Sequence, residues 1–229
     1  MIVLLDYVRV GQWMRQHGFA FPCPVRRRED LFDLVGSEVG NRRTLYMEFG
    51  VWQGASMRYW SKTLSSPSAI LHGFDSFEGL PEVWRDRDDK GQGHFSTRGA
   101  VPDIPDPRVR FFPGWFDQVL PGYTPPPHDV LVINVDADLY SSTLCVLRSL
   151  RGCIREGTFI YFDEFSVAAD EPRAFDDFIQ ESGYTFCLRG ADRTLTHVLF
   201  QCTSGAAADS VATTSVAPTA ALQPAADRR

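Results

Sequence analysis

Residues 44–54 read Thr-Leu-Tyr-Met-Glu-Phe-Gly-Val-Trp-Gln-Gly. An apolar run from Thr44 to Phe49 stops at Gly50, and a helical stretch near Ala55 to Leu64 begins just after Gly54. A strand that passes through a glycine-bounded turn into a helix is the opening unit of a parallel α/β sheet. The glycines permit a tight turn and close approach of a ligand. The helix N-terminus that follows can receive a polar or charged group. The run lacks the three-glycine GxGxxG pattern, because bulky Val51 and Trp52 stand between its two glycines. By itself it describes an ordinary strand-to-helix turn equally well.

The same unit recurs downstream. Ile70 to Phe74, Val109 to Phe112, the continuous apolar run Val130 to Val135, and Thr158 to Phe162 read as further strands. Helical periodicity covers Ser141 to Arg155 and Glu171 to Glu181, the latter stopped by Gly183. Tyr184 to Leu188 and Leu195 to Cys202 read as a closing antiparallel pair. Alternation of this kind predicts an α/β fold, a three-layer sandwich with a mainly parallel sheet between two layers of helices. Upstream, residues 1–43 read as a helical N-terminal cap, with Leu31, Leu34 and Val35 on one face of a helix that Gly40 ends. Residues 44–202 form the sheet domain. Residues 203–229 hold Ala, Ser, Thr, Pro and Asp without an aromatic residue and are expected to be disordered. The Asp-, Gly- and Pro-rich stretch 82–107 reads as a long functional loop.

Composition narrows the classes of function. The 229 residues carry 23 Lys and Arg against 29 Asp and Glu, a net charge of −6, and 44% are apolar. Such a chain can bury a substantial core, and its acidic balance argues against a dedicated nucleic-acid binder. A local basic patch remains at Arg26-Arg27-Arg28. No apolar run approaches the roughly 18 residues of a membrane span. The start has neither the basic flank nor the long apolar core of a secretory signal, so a cytoplasmic location without membrane partners is expected. The five cysteines, Cys23, Cys145, Cys153, Cys187 and Cys202, are odd in number and contain no CxxC, which disfavours a disulfide framework or a zinc site.

In parallel sheets ligands sit beyond the carboxyl ends of the strands. The residues there carry the functional signal. Glu48, Gly50 and Gly54 follow the first strand, and Asp75 and Ser76 the second. An acid in the position of Asp75 can accept hydrogen bonds from two ribose hydroxyls. Trp115 follows the third strand and offers an aromatic face, although a core anchor is an equal reading. Asp136 and Asp138 follow the fourth strand and, in an extended segment, point to one side. Asp163 and Glu164 follow the fifth. If these strands are neighbours, four carboxylates converge, and a cation, a base or raised pKa values must compensate. For Asp138 a helix-capping role competes with the functional one. None of the five histidines shows ligand spacing; in the long loop, Trp84, His94 and Phe95 are the residues placed to meet a substrate.

The run Tyr46 to Gly54 resembles the cofactor loop of class I S-adenosylmethionine-dependent methyltransferases, and more narrowly the macrocin and novobiocin type of O-methyltransferase. Three later motifs are similar and fall in the same order: Asp75 to Pro81, Gly114-Trp115-Phe116 with Leu120-Pro121, and Asp136 to Tyr140 with Ser142-Thr143. The resemblance spans roughly residues 44–180. It implies a seven-stranded Rossmann-like sheet. It implies that Glu48, Gly50 and Gly54 frame the methionine part of S-adenosylmethionine, that Asp75 holds the ribose, and that Ser76 and Trp115 lie near the adenine. Asp138 would be the general base, with Asp136 beside it in the catalytic and cofactor-binding sets. Mg²⁺ would be bound by Asp136, Asp163 and Glu164, although the antibiotic-type enzymes tend to carry two aspartates after strand five and this chain carries Asp-Glu. The expected activity is O-methylation of a hydroxyl on a small molecule such as a sugar or a glycosylated natural product. Two alternatives stand beside it, a nicotinamide-dependent oxidoreductase and a non-catalytic partner platform. The missing GxGxxG argues against the first, and the polar groups kept at every strand end argue against the second. The acceptor, the choice between oxygen and nitrogen as nucleophile, and a homo-oligomeric assembly are left open by the sequence.

Overall fold

The computed structural model describes residues 2–20, 24–84 and 90–205. Seven strands form one sheet: β1 (Thr44–Phe49), β2 (Ile70–Asp75), β3 (Val109–Pro113), β4 (Val130–Val135), β5 (Phe159–Phe162), β6 (Thr185–Ala191) and β7 (Val198–Ser204), in the order β3-β2-β1-β4-β5-β7-β6. Neighbours from β3 through β5 pair in parallel, and β7 runs antiparallel to both β5 and β6. The helices are α1 (Ile2–Gln16), α2 (Arg28–Val39), α3 (Ala55–Thr63), α4 (Phe116–Val119), α5 (Tyr140–Leu150) and α6 (Glu171–Ser182). This is the mainly parallel three-layer arrangement expected from the alternation of patterns, and the seven-stranded Rossmann-like sheet that the resemblance implies. The short helix α4 and the 3₁₀ turn Leu120–Gly122 were not legible, being too brief to show a period.

Strand alternation divides the core into two layers. Leu45, Met47 and Phe49 face one side with Leu131, Ile133, Val135, Ile160 and Phe162, and α5 and α6 close over them. Tyr46 faces the other with Val132, Phe159 and Tyr161, against α2 and α3. The N-terminal helices belong to these layers. Val10 and Met14 of α1 are buried on the first side, and Leu31, Phe32, Val35 and Val39 of α2 on the second. Residues 1–43, read from sequence as a cap, therefore supply part of the core. β7 extends to Ser204, so Thr203 and Ser204, assigned by sequence to the tail, belong to the strand, Ser204 pairing with Thr185 of β6 and Thr203 lying at an irregularity in the register; residues 206–229 of that tail, and Cys23, lie outside the described residues. Cys145, Cys153, Cys187 and Cys202 are free thiols. Among the described residues no helix is long and apolar enough to cross a membrane.

The chain winds one way from β1 to β2 and β3 and the other way from β1 to β4 and β5. The β1–β4 boundary is thus the point where strand order reverses, where open α/β sheets form a crevice.

Candidate active site

A cavity of about 640 Å³ opens at this boundary, beyond the carboxyl ends of β1 to β5. Its size lies in the range typical of small-molecule sites. Glu48, Gly50, Asp75, Ser76, Trp115, Asp136, Asp138, Asp163 and Glu164 all line it. Gly54 does not. It is the left-handed N-cap of α3, with φ 75, and an added Cβ would stand 3.1 Å from Pro102 Cγ. Of the loop residues, Phe95 reaches the cavity and Trp84 does not. The Trp84 ring is buried and its Nε1 donates to Asp170 Oδ2 at 2.7 Å, which makes it an anchor for the loop. The His94 ring packs edge-on against Phe95, outside the cavity lining.

The first turn is built for backbone contact. Gly50 has φ 92, and a Cβ there would overlap the Asp136 carbonyl oxygen. Asp136 N donates to Phe49 O at 2.8 Å, and Gly50 N to Phe74 O at 3.0 Å, so the glycine sits where β1, β2 and β4 meet. Sequence reading assigned the glycine to ligand approach; the structure adds this approach between strands. Asp75 ties the turn down. Its Oδ2 accepts from Val51 N at 2.8 Å and Trp52 N at 2.7 Å, and its Oδ1 accepts from Phe77 N at 2.7 Å. A carboxylate offers about four acceptor positions. Three are engaged, leaving room for one further donor where two ribose hydroxyls were expected.

Glu48 stands on a polar row that sequence reading missed. Pairing register aligns Glu48 with Asn134 and Asn134 with Tyr161 on one face of the sheet. Asn134 Nδ2 donates to Tyr46 Oη at 2.8 Å, and Tyr46 Oη donates to Glu48 Oε2 at 2.8 Å. The legible signals were period-two alternation, which puts Tyr46 and Glu48 on one side, and a lone Asn inside the apolar run of β4. Burial pushes the Glu48 carboxyl up to about 8, against the opposing effects of the Tyr46 hydrogen bond and Arg28, while Asp75 and Asp163 add to the rise. A carboxyl with a raised folded-state pKa contributes stability at low pH that is lost as pH climbs from its unfolded value, near 4.5, through 8. Glu48→Gln is therefore expected to flatten the fall in Tm between pH 5 and 8. At pH 8 the variant should melt roughly 3–8 °C above wild type. Thermal scans across that range check the sign; a variant that melts lower at pH 8 refutes it.

After β4 the chain turns sharply instead of continuing extended. Leu139 N donates to Ala137 O at 2.6 Å around Asp138, whose φ is 59. Asp136 and Asp138 nonetheless both face the cavity. Asp138 makes no cap hydrogen bond to α5; Tyr140 N instead points to Asp170 Oδ1 at 3.4 Å. A non-glycine residue held at positive φ costs of order 1–3 kcal/mol and persists where the surroundings over-determine it. The Asp138 carboxyl is buried, and burial pushes its pKa up to about 7. Lys90 opposes that rise, and Glu164, Asp163 and Asp170 add to it. Lys90 itself lies 4.6 Å over both the Trp84 and Phe95 rings. Asp136 is raised well above the carboxylate range, by burial first and then by Asp163, Asp138 and Glu48.

The acids after β5 differ from the expected metal set. Asp163 Oδ1 accepts from Tyr161 Oη at 2.5 Å and from Arg28 Nη1 at 3.0 Å. His197 Nε2 stands 3.7 Å from the same oxygen. Glu164 N donates to Glu171 Oε2 at 2.9 Å, and the Glu171 carboxyl is fully buried and raised well above its usual pKa, by burial first. Among the described residues no three His, Cys, Asp or Glu side chains converge as a metal-holding group. With a guanidinium on Asp163 the trio Asp136, Asp163 and Glu164 does not fit Mg²⁺. Arg28, read in sequence only as part of a basic patch, lies far from this site along the chain, and only the fold of α2 brings it here.

Strand order, switch-point cavity and strand-end acids together define a methyltransferase-type Rossmann fold. The chain belongs to the macrocin O-methyltransferase (TylF) family, whose model matches residues 42–199. It is 34% identical over 141 residues to the 8-demethyl-8-(2,3-dimethoxy-α-L-rhamnosyl)-tetracenomycin-C 4′-O-methyltransferase of Streptomyces olivaceus, covering 54% of this chain and 53% of that one. It is 28% identical over 182 residues to the demethyldecarbamoylnovobiocin O-methyltransferase of Streptomyces niveus, covering 69% of each. The match thus spans about half the length of the first relative. Among solved structures, the O-methyltransferase NovP superposes with a TM-score of 0.57 at 27% identity over 77% of each chain. The calicheamicin methyltransferase CalS11, at 19% identity, shares the fold with a TM-score of 0.58 over 86% of this chain and 91% of its own.

Proposed function

We propose that this chain is an S-adenosylmethionine-dependent O-methyltransferase acting on a sugar hydroxyl of a glycosylated small molecule. The observation that carries the reading is the convergence of the strand-end motifs on one switch-point cavity in which Asp138 presents a buried carboxyl titrating near neutrality. The tetracenomycin relative carries the rhamnosyl group in the name of its substrate, which favours a deoxysugar acceptor.

In this reading Glu48 and the Gly50 turn frame the methionine end of the cofactor, with Gly54 supporting the turn from outside the cavity. Asp75 accepts one ribose hydroxyl, and Ser76 and Trp115 border the adenine. Asp136 contributes on the cofactor side. The bound cofactor supplies an electrophilic sulfonium methyl group. That methyl would pass in line to the acceptor oxygen, leaving the sulfur as a neutral thioether, and Asp138 would take the acceptor's proton. Alignment of donor and acceptor supplies much of the rate, up to about 7–11 kcal/mol. Proton removal by a placed base contributes typically about 10²–10⁴-fold.

Labelled methyl transfer to compounds bearing free deoxyhexose hydroxyls, with mass-spectrometric location of the new methyl group, tests the reading. Methylation on a sugar oxygen is the expected result. Transfer confined to aglycone phenols or to amines would overturn the acceptor assignment. No observation favours the nicotinamide-dependent or the platform alternative.

A further inference from the structure

We infer that Arg28 is the resident cation of the acidic cluster, in the place where the sequence resemblance implies Mg²⁺. Arg28 opens α2, and the helix is seated firmly. Asp30 Oδ2 accepts from Arg26 N at 3.1 Å and Arg27 N at 3.0 Å, which fixes the entry to the helix. Leu31 and Phe32, one helical turn after Arg28, are buried, and the Phe32 ring lies 4.9 Å from Tyr161. The guanidinium is delivered into the cavity by packing, with its side chain 28% exposed.

The charge arithmetic supports a permanent occupant. Asp136, Asp163 and Glu48 bring three carboxyls to the cavity that Arg28 also lines, and Arg28 Nη1 lies 3.0 Å from Asp163 Oδ1. An arginine remains charged at any working pH and presents a planar fork of donors. A divalent ion would need carboxylate oxygens stripped of other cations. Here Asp163 Oδ1 carries both a phenol hydroxyl and a guanidinium. The occupancy does not depend on the reaction assigned above. One consequence does rest on that reading: with no ion to lower the acceptor's pKa, proton removal falls to Asp138.

The test is titration of the chelator-treated full chain with Mn²⁺ alone, followed by the paramagnetic resonance signal of the free ion, without cofactor or acceptor. Wild type is expected to show no stoichiometric Mn²⁺ site. Arg28→Gln is expected to bind one Mn²⁺ at least about tenfold tighter than wild type, and the double variant Arg28→Gln/Asp163→Asn is expected to lose that gain. Arg28→Lys, which keeps a charge, should behave as wild type, and Arg28→Met serves as the neutral variant if the glutamine variant does not fold. A stoichiometric Mn²⁺ site in wild type, weakened by Asp163→Asn, would overturn the inference. So would the absence of binding in wild type and in a folded Arg28→Gln protein alike, because the arginine would then not be filling an ion's place. A Lys variant that binds Mn²⁺ as tightly as a neutral variant would overturn it too.

Discussion

Asp138→Asn is expected to lower the rate of methyl transfer by about 10²–10⁴-fold while leaving S-adenosylmethionine affinity within a few-fold of wild type. The substitution is chosen for the backbone. Asp138 sits at φ 59, and asparagine tolerates the left-handed region as well as any residue except glycine. The volume is unchanged, and a neutral amide replaces a carboxyl that burial already disfavours in its charged form. Stability should therefore hold or rise, which separates loss of chemistry from loss of fold. In wild type the base must be deprotonated to act. With its pKa pushed up to about 7, kcat is expected to climb with pH below 7 and to level above it. The residual activity of Asp138→Asn should lack that rise. Single-turnover rates across pH 5.5 to 9, as an approximate working span, check both statements. An Asp138→Asn protein with wild-type kcat would remove Asp138 from the chemistry.

Gly50→Ala is expected to abolish cofactor binding and to destabilise the fold by roughly 2–5 kcal/mol, or about 4–20 °C in Tm. Two costs combine. A side chain at φ 92 is strained, and its Cβ would overlap the Asp136 carbonyl oxygen at the junction of β1 and β4. The neighbours cannot yield cheaply, because the obstructing atom is backbone and Asp136 N is already bonded to Phe49 O. Parting β1 from β4 would move Glu48 and Asp136 away from each other and spoil the cavity at its centre. Differential scanning calorimetry gives the stability change, and equilibrium dialysis with labelled S-adenosylmethionine gives the binding. A variant with unchanged Tm and affinity would show that the turn relaxes more freely than its geometry allows.

β1, β4 and β5 were legible because each is a short apolar run bounded by glycine or charge, and burial of every residue enforces that pattern. Val130 to Val135 is the plainest case, and the sequence bounds coincide with those of β4. Residues at strand ends were legible for a related reason. Parallel topology sends every carboxyl end to one side, so Glu48, Asp75, Asp136 and Asp163 had to share an edge once the strands were placed. What stayed hidden depends on contacts between distant parts of the chain. Arg28 reads as one of three consecutive arginines until α2 packs through Phe32 on Tyr161 and carries it to Asp163. Trp84 reads as a pocket wall until Asp170 binds its indole N–H. The turn at Asp138 reads as extended because positive φ in a non-glycine residue leaves no mark in the sequence.

In the proposed function the cavity at the β1–β4 boundary is an S-adenosylmethionine site. Calorimetric titration of the chelator-treated full chain with S-adenosylmethionine, repeated with NADH, tests it most directly. The expected result is one site of micromolar affinity for S-adenosylmethionine, unaltered by added Mg²⁺ and lost in Gly50→Ala, with NADH binding weaker or undetectable. No binding of S-adenosylmethionine, or tighter binding of NADH, would contradict it.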